Sequence, residues 1–223
     1  MNNSQILTIE IKIELKIICF FEHKMEYSIR GLEIQFHSTF NKLLDESVIE
    51  EIKKYKAIRF NTNFNQNVDN LPKNVRRIIF GENFNQPIDN LPQEIMMINL
   101  CCNFNQPIDF LPIGLICLSL GREFNKPIDN LPPNLKKLMI HNYTNELNVT
   151  NFHSDRLNII DAPGKFNQKI DNLPKKLKSL YILSGVFNQP INNLPEELET
   201  LELGQQFNHP VDNLPKKLKS LFL

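Results

Sequence analysis

A segment close to FNQPIDNLPxxLxxLxL recurs along the chain, and this short period constrains the fold more than any other feature. Seven clear copies occur, at spacings of 20 or 21 residues wherever clear copies adjoin. One copy cannot fold alone, because its few large apolar side chains do not offset the entropy lost in ordering about twenty residues. The sequence therefore predicts a stacked solenoid. The copies begin at Phe64, Phe84, Phe104, Phe124, Phe166, Phe187 and Phe207.

The LxxLxL part of each copy predicts one short β-strand. It ends in a period-two alternation, as in Leu177, Leu180 and Ile182, which is typical of a strand with one apolar face. Stacked copies would place these strands in one parallel sheet. The proline of each Asn-Leu-Pro string has no N–H and would interrupt a central strand, so we expect it in a turn on the return side of the coil.

Two polar positions recur in the motif. Asn follows Phe in all seven clear copies, from Asn65 to Asn208, and a short amide there can hydrogen-bond the backbone of the next coil. We expect a buried Asn ladder, because an exposed row of ligand-binding amides would not lie beside the stacked Phe. Asp occupies the sixth position in six copies, as at Asp69 and Asp89. Asp before Asn-Leu-Pro favours a turn over a metal or acid–base array.

The ends of the array are less regular. Residues 40–63 resemble an eroded copy, and residues 143–165 a degenerate one that would make the array continuous over 40–223. Residues 41–55 carry apolar side chains at helical spacing, which predicts a short helix. Residues 6–18 alternate as a one-face-apolar strand would, so we expect residues 1–39 to form a cap or eroded first coils.

Composition excludes several classes of protein. Lys plus Arg equals Asp plus Glu at 25 each, so no net charge draws the chain to nucleic acid or to an anionic membrane. Charges interrupt the first twenty residues, which rules out a signal-peptide apolar run and a membrane span there. We therefore expect a reducing, cytoplasmic location, which would be the host cytoplasm for a viral protein.

The sequence contains no pattern that indicates an enzyme or a metal site. Cys19, Cys101, Cys102 and Cys117 lack CxxC spacing, so we expect free thiols rather than a disulfide or zinc site. The five histidines are scattered, and the chain has neither a glycine-rich phosphate loop nor a GxSxG or HExxH motif. We expect no catalysis, cofactor or metal.

The FNQPIDNLP string closely resembles the FNIP repeat, a family found largely in social amoebae and in giant viruses that infect amoebae. The resemblance covers residues 40–223. It implies an arc like that of leucine-rich repeats, with LPxxLxxLxL as the strand part. It implies little chemistry, since most members are uncharacterised. Some members carry an F-box-like domain; here Leu91–Ile95 imitates an F-box opening but lies in the Leu-Pro phase of a repeat.

In such an arc the outward strand positions line the concave face, and they vary while the rest of the motif repeats. Ile79, Met97, Cys117 and Met139 would form a soft apolar patch there, of the kind that marks protein interfaces. The basic residues before the patch and the acidic Asp161 and Glu202 beyond it would flank it. The candidate partner-binding residues are Arg59, Arg77, Ile79, Met97, Cys117, Met139, Tyr181 and Phe222.

The favoured function is a non-enzymatic scaffold for protein–protein interaction with an unknown partner. Three alternatives stay open: a substrate-recognition adaptor of a ubiquitin ligase, which rests on family analogy; an array with no dedicated partner; and unselected solvent positions on the concave face. The sequence also stops on a repeat strand, at Leu218, Leu221 and Leu223. Such an apolar edge could pair with another copy of the chain or with a partner.

Overall fold

A computed structural model describes residues 33–37, 39–141 and 163–223. Their strands form one sheet of nine parallel strands in chain order, with each strand paired to the next. This confirms the predicted solenoid, in which each coil contributes one strand. The strands are β1 (Glu33–Gln35), β2 (Ala57–Arg59), β3 (Arg77–Ile79), β4 (Met97–Leu100), β5 (Cys117–Leu120), β6 (Lys137–Ile140), β7 (Ser179–Ile182), β8 (Thr200–Leu203) and β9 (Ser220–Phe222).

The core lies between the sheet and the return side of the coils. The second residue of each strand points inward and stacks in register on its neighbours, as Ile78 does on Ile98 and Leu118 on Leu138. These four side chains are fully buried. The phenylalanine that opens each copy packs behind them, with ring centroids 6.2 Å apart between Phe84 and Phe104. The rings stack nearly parallel along the array, which is a favourable aromatic arrangement.

Each Leu-Pro pair lies in a turn directly before its strand, as the sequence predicts. The carbonyl oxygen of the proline accepts a hydrogen bond from the N–H three residues later, at 3.0 Å from Pro112 to Leu115 and 3.1 Å from Pro132 to Leu135. The proline therefore contributes its acceptor to the turn, and its missing N–H takes nothing from the sheet.

The first coils differ from the repeat but keep its stacking. A single short helix, α1 (Glu46–Ile52), lies in the predicted 41–55 segment, with Val48 and Ile52 buried. The Asp45 carboxylate caps it by accepting from the Val48 N–H at 3.0 Å. β1 joins residues 33–35 to the sheet. The cap or eroded coils expected of residues 1–39 stay a prediction. The alternating segment 6–18 and Cys19 lie outside the described residues.

The coil that ends in β6 stacks directly on the coil that begins at Phe166. β6 pairs with β7 in register, and the rings of Phe124 and Phe166 lie 6.1 Å apart. The expected coil of residues 143–165 therefore does not separate them. That segment has neither a Phe-Asn pair at its start nor a Leu-Pro turn, the two features that join successive coils here. Residues 142–162 lie outside the described part of the chain.

Candidate functional site

We call the outward side chains of β1–β9 the sheet face. They occupy the outward strand positions that the sequence predicts and form two rows across the strands, which we call the central lane and the neighbouring lane. Strand pairing aligns Arg59 with Ile79, Asn99 with Ser119, and so on to Phe222. The neighbouring lane runs in the same register from Ala57. Asp161, which the sequence predicts beside the apolar patch, lies outside the described residues.

The middle of the sheet face is buried, which corrects the expectation of an exposed apolar patch. Ile79 is 2% exposed and Met139 0%, and the intervening Asn99 and Ser119 are also buried. Ile79 and Met139 therefore belong to the buried part of the protein, and a partner could not contact them without a rearrangement.

The other candidate residues retain access to solvent to different degrees. Met97, Cys117 and Tyr181 are partly buried, and Phe222 is 54% exposed. The Lys137 ammonium lies 5.4 Å from the centre of the Tyr181 ring, within the range of a cation–π contact. Burial raises the pKa of the Cys117 thiol to about 11, so this sulfur stays protonated and unreactive at neutral pH.

The two candidate arginines bind one carboxylate. Glu33 of β1 accepts from Arg59 Nε at 3.0 Å and also pairs with Arg77. All three side chains are largely shielded from solvent, which strengthens the pairs. The sequence prediction missed Glu33 because it treated residues 1–39 only as a cap or eroded first coils and assigned no outward strand position there. A signal was present, since Glu33-Ile34-Gln35-Phe36 has the same form as Ala57-Ile58-Arg59-Phe60.

A buried polar contact joins β5 to the residue after β6. Ser119 Oγ lies 2.9 Å from His141 Nε2, and both residues are buried. Burial lowers the pKa of His141 to about 4, so its ring stays neutral at physiological pH. A serine beside a neutral imidazole is the arrangement of a nucleophile and its base, but a substrate could not reach this buried pair. We interpret it as a structural contact.

The Asn ladder exists, although it is not buried as expected. The side-chain oxygen of Asn65 accepts from the Asn85 N–H at 2.9 Å, and Asn85 accepts from Asn105 in the same way. The row continues to Asn208. All of these asparagines lie on the return side of the coils, away from the sheet. They are half-buried in the inner coils and exposed from Asn167 onward.

The recurring aspartates form turns and bonds between coils. The Asp109 carboxylate accepts from the Asn130 amide at 2.9 Å, and Asp129 accepts from Asn172 at 2.9 Å. The described residues contain no group of three or more His, Cys, Asp or Glu side chains that could hold a metal ion. The recurring Asp and Asn side chains thus join successive coils.

A second surface, which the sequence prediction missed, follows the turns. We call it the turn edge; it comprises the Asp-Asn turn, the two residues after each Leu-Pro and the residue before each strand. Phe110 and Ile113, in the Phe104 coil, are 68% and 60% exposed there. The available signal was Phe110 itself, which occupies the position that Asn takes in the other six clear copies.

The last strand and the residue after it also carry exposed apolar side chains. Leu221 is 37% and Leu223 60% exposed, whereas Leu218 is partly buried against the core. Their role in self-association stays a prediction. Within the described residues no helix is long and apolar enough to cross a membrane.

Comparison with known proteins gives one clear family match. The model of the FNIP repeat matches residues 64–102, 104–143, 166–204 and 187–223, which together make up more than half of the chain. No curated protein matches the chain. Among solved structures the chain is similar to CroV588, described as a novel circular LRR protein, at 25% identity and a TM-score of 0.39. The alignment covers 88% of this chain and 38% of that protein, so the chain spans less than half of its length.

Proposed function

Because this chain belongs to the FNIP-repeat family, we propose that it is a non-enzymatic scaffold that binds another protein through surface positions that differ from coil to coil. The division of roles within the coil carries this proposal. The recurring Phe, Asn, Leu and Pro take part in packing, in ladders and in turns. The side chains that vary lie in continuous rows on the sheet face, as solenoid binding surfaces do.

The accessible part of the sheet face lies on either side of its buried middle. Met97 lies beside Arg77 in the neighbouring lane, and Tyr181, Glu202 and Phe222 follow Met139 along the central lane. This surface offers one flexible apolar side chain, two aromatic rings and a carboxylate. Methionine and aromatic side chains are enriched at protein interfaces, which supports a protein partner.

Proximity labelling in cells of the source organism tests the proposal. We expect a Met97→Asp/Tyr181→Ala variant to lose specific labelled proteins, and a return-side control, Lys126→Glu/Lys169→Glu, to keep them. Both variants are first compared with the unaltered chain in urea, so that a loss of labelling is not a loss of folding. Identical sets of labelled proteins from the unaltered chain and the sheet-face variant would refute binding through this face.

A further inference from the structure

We draw no further inference here: the strongest candidate, the apolar edge of the sheet at β9, where Leu221, Phe222 and Leu223 are exposed, carries nothing because nothing in the structure shows what covers it.

Discussion

The inner coils and the C-terminal coils carry the same motif in different environments. Phe84, Phe104 and Phe124 are at most 1% exposed, whereas Phe207 is only partly buried. Asn85 of the ladder is half-buried, but Asn188 is exposed. The same residue type at the same motif position is therefore expected to contribute differently to stability. In a solenoid the contribution of a side chain depends on the coils stacked on both sides of it.

The largest expected effect is the loss of an inner phenylalanine. Phe104→Ala should lower the free energy of unfolding by about 3–5 kcal/mol, because it leaves a cavity between two stacked rings. Phe207→Ala should lower it by about 1–2 kcal/mol, because less apolar area is buried there. Urea denaturation of both variants measures the difference. Equal losses would show that position along the array does not matter, and the comparison would then be wrong.

The buried His141 makes the stability of the inner sheet face depend on pH between about 6.5 and 4. Its pKa is lowered to about 4 in the folded protein, against about 6.5 in an unfolded chain. Above pH 6.5 the His141 ring is neutral in both the folded and the unfolded protein. As the pH falls below 6.5, the unfolded state binds a proton that the folded state does not, so stability decreases until about pH 4. The full effect is about 3 kcal/mol.

A His141→Asn variant isolates this effect from the protonation of carboxylates. Denaturation midpoints of the two proteins, measured between pH 7 and pH 4, should fall more steeply for the unaltered chain. His209→Asn, at a partly exposed position in the C-terminal Phe207 coil, is the matched control for the substitution itself. Parallel pH profiles for the unaltered chain and His141→Asn would contradict the assignment.

The recurring residues predict most of this fold, because each has one role that the period reveals. The spacing of Leu177, Leu180 and Ile182 predicts β7, and the Asn after each Phe predicts the ladder. Burial of outward residues follows no such pattern. Ile79 and Met139 occupy outward positions by alternation yet are buried, because exposure depends on everything that packs near a side chain, not on its phase in a strand.

The candidate site was predicted less well because it depends on residues that do not recur. The Glu33 pairing with Arg59 joins positions 26 residues apart, across a coil in which the motif is eroded. Phe110 and Ile113 stand in turn positions, which a search for outward strand residues does not examine. A departure from the repeat, such as Phe in place of Asn, was the useful signal for this surface.

The Asn ladder gives a smaller test of the same comparison. Asn85 accepts from the Asn105 N–H and from the Gln106 amide, which also donates to the Asn85 backbone carbonyl, so Asn85→Ala leaves the Asn105 N–H without its acceptor in a half-buried site. We expect a loss of about 1–2 kcal/mol. Asn188→Ala removes one such acceptor in an exposed site, where water replaces it, and should cost less than about 1 kcal/mol. Urea denaturation of both variants measures this difference. An Asn85→Ala variant that is no less stable than Asn188→Ala would refute it.

The smallest expected effect concerns charges that join only the C-terminal coils. Glu199 accepts from Lys178 at 2.9 Å and from Lys219 at 2.6 Å, and these lysines lower its pKa to about 2. Because this pKa is depressed, the stabilisation is present at neutral pH and is lost only as the pH falls towards 2. Exposed pairs contribute little and are screened by salt. Glu199→Gln should therefore lower the melting temperature slightly at low salt and not at high salt. A decrease that persists at high salt would mean that packing around Glu199, rather than its charge, holds the last coils together.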